Sequence, residues 1–155
     1  MDDERFRDLY DRHAAALGAY IARVSGDREA ATDLLQETFC RFYAADLPSM
    51  DDGECKSYLY RIATNLVRDR WRRTKREPIS VPSERRAVDL DGAIDVRHAF
   101  ESIKPREREL LWLAYVECAS HREIAGMTGL QSGSVRTLLL RARRNMARLL
   151  NEARR

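Results

Sequence analysis

Apolar residues recur in this sequence at helical spacing almost from end to end, and the pattern lapses once, between Glu77 and Asp91. A chain patterned this way can bury its apolar faces only by packing helix on helix, because an alternating period of two, which a half-buried strand requires, occurs nowhere along it. The fold class expected is all-α. The lapse contains Pro78, Ser80, Pro82 and Ser83 among scattered charges, so it reads as a flexible linker between two small helical domains. The boundaries expected are 1–76 for the first domain, 77–92 for the linker and 93–155 for the second.

Within the first domain, Phe6, Leu9, Tyr10, His13, Leu17, Tyr20, Ile21 and Val24 define one amphipathic helix, stopped at Ser25-Gly26. A second helix follows Asp27, a good N-cap, with Leu34, Leu35, Thr38, Phe39, Phe42 and Tyr43 on its apolar side and acids on the other. Asp46 to Glu54 reads as a loop. A third helix carries Tyr58, Leu59, Ile62, Ala63, Leu66, Val67 and Trp71 up to Pro78. In the second domain periodicity resumes at Ile94, Ala99, Phe100 and Ile103. Pro105 then suits the first turn of a helix that is apolar nearly all round from Leu110 to Tyr115.

Composition removes several classes of function. No run approaches the roughly 20 apolar residues of a membrane span, so no membrane insertion is expected. The acidic start Met1-Asp2-Asp3-Glu4 is unlike a secretion signal, which points to the cytoplasm. Three cysteines, Cys40, Cys55 and Cys118, have no CxxC spacing and suggest neither a disulfide framework nor a metal site. No catalytic constellation and no cofactor motif is legible, and an enzyme is not expected.

The net charge of +3 hides strong segregation. Arg68, Arg70, Arg72, Arg73, Lys75 and Arg76 end the third helix, and a second basic run passes through Arg136, Arg141, Arg143, Arg144 and Arg148. Acids gather around Glu29, Asp33 and Glu37 and between Asp46 and Glu54. One basic run alone is most simply a solvated helix face; two, each closing an apolar helical pattern, point to a polyanion such as DNA.

The sharpest local signal begins at Ser120-His121-Arg122-Glu123, a capping box in which side chain and backbone of the first and fourth residues satisfy each other. Ile124, Ala125 and Met127 follow on a short helix, Gly129 suits a left-handed C-cap, Leu130 plugs the corner, and Ser132 is placed to cap the next helix. Ala125, Gly129 and Val135 hold the small, turn and buried positions of a helix-turn-helix. The inner stripe of its second helix is Val135, Leu139, Ala142 and Met146, which leaves Arg136, Thr137, Leu140, Arg141, Arg143 and Arg144 outside. Arginine can bond guanine bidentately and threonine can meet a phosphate or a thymine methyl, so this face suits base reading.

Taken together, the two halves resemble regions two and four of the extracytoplasmic-function (ECF) sigma factors. Region two is matched by Phe6-Arg7-Asp8-Leu9-Tyr10 with His13, by Asp33-Leu34-Leu35-Gln36-Glu37-Thr38-Phe39, and by Tyr58 to Leu66 with Asp69 and Arg72. Region four is matched by Ile124-Ala125 and by Ser134-Val135-Arg136 leading to Leu140-Arg141-Ala142-Arg143. The chain departs from many members at Leu138, where another arginine is common.

The resemblance implies a factor that binds core RNA polymerase and directs promoter-specific initiation. Asp33, Gln36, Glu37 and Phe39 would dock on the β′ clamp helices, an acidic face against a basic coiled coil, with Phe39 equally readable as core. The loop from Pro48 to Cys55, with Asn65, would hold a base flipped from the −10 element. Tyr58, Tyr60 and Trp71 could stack on separated strands or belong to the core. Arg68, Arg72 and Arg73 would hold phosphates. Ser134, Arg136, Thr137, Leu140, Arg141, Arg143 and Arg144 would meet the −35 element. The partners implied by the resemblance are core polymerase, through its β′ clamp helices and β flap, double- and single-stranded promoter DNA, and an anti-sigma factor. Two other readings stay open at this point. One is a self-sufficient helix-turn-helix repressor, which would bind a palindrome without polymerase; the other is a protein-interaction adaptor, indifferent to loss of Arg136 and Arg141.

Overall fold

The computed structural model of the chain describes residues 1–76 and 91–154, with side chains in those ranges except at 76 and 91–94. Most of the expected linker, 77–92, therefore lies outside the described residues, and so do Pro78 and Pro82. Seven helices and no strand are present among the described residues: α1 (Asp3–Ser25), α2 (Arg28–Ala44), α3 (Asp52–Arg76), α4 (Asp91–Ser102), α5 (Pro105–Tyr115), α6 (His121–Thr128) and α7 (Ser132–Ala153).

Local chemistry explains most boundaries. Asp2 caps α1 by accepting from the Arg5 N–H, and Gly26 ends it in the left-handed conformation at φ 73°. Asp27 accepts from the N–H groups of Glu29 and Ala30 and so starts α2. Pro105 opens α5 where its missing N–H costs nothing. Two boundaries differ from the sequence expectation. The loop after α2 ends earlier than Glu54, because Asp51 and Glu54 form a reciprocal cap: the Glu54 N–H donates to the Asp51 carboxylate at 2.8 Å and the Asp51 N–H to Glu54 at 3.2 Å. The second correction concerns Ser132, which is the first residue of α7 and not its cap. Gln131 stands at the N-cap without a side-chain bond, so this helix begins uncapped by any hydroxyl.

The three helices of the first half wrap around Leu17, Tyr20, Ile21, Leu59, Tyr60 and Ala63, all fully buried. The second half encloses Leu110, Leu113, Ile124, Met127 and Val135. These cores are not separate. One cluster of buried residues runs through both halves, and α1 and α3 of the first pack on α5 and α6 of the second.

Charged residues tie the seam. Arg108 is buried, and its Nε donates to the Val24 carbonyl at 3.1 Å while Nη1 donates to Glu101 and Ile103 carbonyls. It thereby satisfies carbonyls at the C-terminal ends of α1 and α4, where a cation also meets the negative ends of the helix dipoles. Glu107 accepts from Asn145 Nδ2 at 2.7 Å and fastens α7 to α5. The helix expected to be apolar nearly all round thus buries Glu107, Arg108 and Glu109 in its first turns, and Tyr115 at its end is 57% exposed.

Candidate nucleic-acid interface

The capping box at α6 forms as its spacing requires. The Glu123 N–H donates to Ser120 Oγ and the Ser120 N–H to Glu123 Oε1, each at 3.1 Å. The Ser120 N–H, and after it the Ser120 hydroxyl beside the carboxylate, favour the ionised form, so Glu123 is held below the ordinary glutamate range. Gly129 ends α6 at φ 81°, and Leu130 is half-buried against the core at the corner. Val135, Leu139 and Ala142 are buried on α7, which fixes the rotation of that helix.

That rotation leaves Arg136, Thr137, Leu140, Arg141 and Arg144 exposed along the opposite face, with Ser134 half-buried at its start. Leu140 is 40% exposed amid this basic row. Arg143 stands apart, donating from Nη1 to the Tyr115 hydroxyl at 3.0 Å. Leu138, the departure noted above, is half-buried against the core rather than on the basic face.

The residues expected to meet the −10 element are distributed differently. Asn65, Arg72 and Arg73 are exposed on α3, with Arg72 3.8 Å from Asp69. Trp71 is exposed and carries the Lys75 ammonium 4.0 Å over its ring. Tyr58 is half-buried, its ring 5.8 Å from that of Phe42. Tyr60 is fully buried, so of the three aromatics considered for stacking it is core. Arg68 is not free: its fork bonds both oxygens of Glu109, at 3.2 and 2.9 Å, and Nη2 also donates to the Thr128 carbonyl. Sequence reasoning missed Glu109 because an acid in an apolar stretch gives no sign of a partner 41 residues away. The segment expected as a Pro48 to Cys55 loop is helical from Asp52, and its Met50 and Asp51 border a cleft of about 700 Å³ that Tyr58 and Arg61 of α3 share with Glu123 and Gly126 of the second half.

On α2, Asp33, Gln36 and Glu37 are exposed, and Glu37 accepts from Arg41 Nε at 2.8 Å. Phe39 lies beneath that face and not on it. It is 3% exposed, with its ring 4.7 Å from Tyr10 and 6.1 Å from Phe6. Elsewhere an apolar groove of about 610 Å³ runs past Phe100, Leu111, Trp112, Val116, Met146 and Leu150, rimmed by Arg23, Arg97 and Arg143. No cluster of potential metal ligands occurs among the described residues, and no described helix is long and apolar enough to cross a membrane.

A helix-turn-helix with an arginine-rich outer face, joined to a three-helix unit with its own basic helix, defines a bipartite helical DNA-binding protein. Residues 9–77 match the model of sigma-70 region 2 and residues 93–146 that of sigma-70 region 4. The chain belongs to the sigma-70 family of transcription factors, within its ECF group. It is 29% identical to the ECF sigma factor SigE of Mycolicibacterium smegmatis over 90% of this chain, yet spans only 59% of that relative's length. It is also 29% identical to the sigma factor CarQ of Myxococcus xanthus, covering 96% of this chain and 91% of that one. Among solved structures, CnrH in complex with the cytosolic domain of CnrY is similar at a TM-score of 0.72 and 26% identity, over 97% of this chain and 90% of that one. The sigma factor RpoE in complex with the anti-sigma factor NepR from Bartonella quintana shares the fold, with a TM-score of 0.67 at 21% identity over 96% and 98% of the two chains.

Proposed function

We infer that this chain binds core RNA polymerase in the cytoplasm and directs initiation at promoters read through two elements, under the control of an anti-sigma factor. The observation that carries the inference is the exposed row Arg136, Thr137, Leu140, Arg141 and Arg144 on the outer face of α7. The helix that presents it is fixed by buried Val135, Leu139 and Ala142. A basic row on a helix rotated rigidly by its core is what base reading in the major groove needs.

The remaining roles follow from exposure and charge. Asp33, Gln36 and Glu37 form an acidic docking face for the β′ clamp helices, and Phe39 backs that face from the core. Asn65, Trp71, Arg72 and Arg73 are placed on α3 to meet the separated strands of the −10 element. The groove around Trp112 and Met146 is the apolar face we assign to the β flap. The working units are 1–76 and 93–155. Specificity then depends on the spacing of two elements as well as on each contact. The likeness to CnrH in its complex with CnrY supports control by an anti-sigma factor.

Run-off transcription with core polymerase on host promoter templates tests this function. Promoter-dependent product is expected with this chain and none without it. Arg141→Ala should weaken −35 recognition by about 1–3 kcal/mol on the specific site only. Equal weakening on all sequences would make Arg141 a phosphate contact, and tight binding to a palindrome without polymerase would indicate a repressor instead.

A further inference from the structure

The connection between α2 and α3 is held from α1. Leu47 to Met50 donate no backbone–backbone hydrogen bond among the described residues, so this stretch does not fix its own course. Arg5 Nη2 donates to the Met50 carbonyl, and Arg12 Nη1 and His13 Nε2 both donate to Oδ1 of Asp52, His13 at 3.1 Å. The ties differ in stiffness. The side chains of Arg12 and Asp52 are 53% and 50% exposed, and an ion pair so solvated positions little. His13 is buried on α1 together with Leu9 and Leu17, so packing holds its ring in one orientation. Its bond foremost, and the Arg12 and Lys56 charges after it, hold the Asp52 carboxyl below the ordinary aspartate range. Asp52 opens α3, and Met50 and Asp51 directly before it border the cleft that Tyr58 and Arg61 line. A histidine kept for packing alone could be satisfied within its own helix; this one reaches 39 residues along the chain to the root of a loop.

We propose that His13 is a positioning residue for −10 recognition: by fixing Asp52, with Arg5 on the Met50 carbonyl, it sets the loop against a base held in the cleft. The proposal rests on the reading of the segment from Pro48 to Cys55 as the holder of that base. Bases are told apart by hydrogen bonds and contacts to their edges, and hydrogen bonds weaken steeply as their geometry drifts. A loop free to shift would meet several bases about equally well. A loop pinned at the Met50 carbonyl and at Asp52 presents one arrangement of Met50 and Asp51 to all of them. His13 itself touches no DNA in this scheme and acts only through Asp52.

The test is run-off transcription by core polymerase and the full chain on a template library with randomised −10 and −35 segments, read by sequencing the transcripts. His13→Ala should flatten the base preference within the −10 segment about fivefold, the fold-change of one base-edge contact at its weakest, and leave the −35 preference unchanged. Met50→Ala, in the loop itself, should flatten the same positions. His13→Gln, whose amide nitrogen can stand where Nε2 stands, should recover most of the preference. An unchanged −10 preference in His13→Ala would overturn the proposal, as would equal flattening at both elements or a glutamine variant as flat as alanine. If His13→Ala loses helical circular dichroism, Asp52→Ala decides in its place, because Asp52 is exposed and its loss removes the same bond from the other side. An unchanged preference in Met50→Ala would overturn the reading of the loop and the proposal with it. Absence of product from the parent chain would overturn the sigma function itself, whereas product with a −10 preference that the His13 and Asp52 variants keep would overturn the positioning role alone.

Discussion

The hydroxyl of Tyr20 on α1 and the Oγ1 of Thr64 on α3 lie 2.8 Å apart with no solvent access to either residue. Burial foremost, then the nearby Glu109 carboxylate, pushes the Tyr20 hydroxyl far above the ordinary tyrosine range, so it stays a neutral hydrogen-bonding group at any physiological pH. Tyr20→Phe removes one partner of a buried bond and should cost about 1 kcal/mol or somewhat more. Urea unfolding followed by circular dichroism measures this. A variant as stable as the parent would show that Thr64 is satisfied without the phenol.

At the turn of the helix-turn-helix, Gly129→Ala should destabilise by about 1–2 kcal/mol, because φ is 81° there and an L residue is strained in that region. An added Cβ would also meet the Arg61 guanidinium at 2.9 Å, but that is the far end of a flexible side chain and can move. Gly129→Asn should therefore recover part of the loss, since asparagine tolerates the left-handed region. Thermal melts of the two variants, read against the parent, would refute the argument if alanine proved the milder change.

Ser120 and Ser132 make a matched pair of tests. Ser120→Ala removes the cap of α6 and should cost about 0.5–2 kcal/mol, whereas Ser132→Ala, at a residue inside α7, should leave stability nearly unchanged. The pH dependence follows from Glu123. Its carboxyl is held below the ordinary range in the folded chain, so the folded state binds its proton less readily than the unfolded one. The associated stability is present above the unfolded pKa and is lost as pH falls through the depressed folded value. Unfolding titrations across the acid range should show a shallower acid loss in Ser120→Ala than in the parent. A large loss from Ser132→Ala would restore it as a cap.

Thiol reactivity should follow exposure. Cys40 and Cys118 are exposed, while Cys55 is buried beneath Met50 and its thiol is raised above the ordinary cysteine range, mainly by that burial. Iodoacetamide at neutral pH should label Cys40 and Cys118 before Cys55. Peptide mapping by mass spectrometry reads the order, and early labelling of Cys55 would mean that the loop over it opens readily.

Signals that act within a few residues were legible in the sequence alone. The α-helical periodicity, the Asp27 cap, the Gly26 and Gly129 stops and the Ser120 to Glu123 box each depend on backbone geometry within one or two turns, and each appears in the structure. So does the outer face of α7, because one buried stripe of three residues determines what its opposite side presents. The Asp51 to Glu54 cap was equally local and was missed only because Pro48, Asp52 and Gly53 read as a loop.

Tertiary structure decided which charges are free. The basic run and the family resemblance made Arg68 a phosphate-holding residue like Arg72, and they left Phe39 readable either as docking face or as core. Folding brings Glu109 to Arg68 and the rings of Phe6 and Tyr10 to Phe39. The physical reason is that an amphipathic pattern specifies which side of a helix is buried and carries no record of what lies against it. An ion pair between residues 41 positions apart exists only once two helices are packed. Sequence by itself therefore determined the helices, most of their caps and the exposed basic row of α7. Only the packed chain settled that α3, the helix expected to meet the −10 element, already has a carboxylate on one of its arginines.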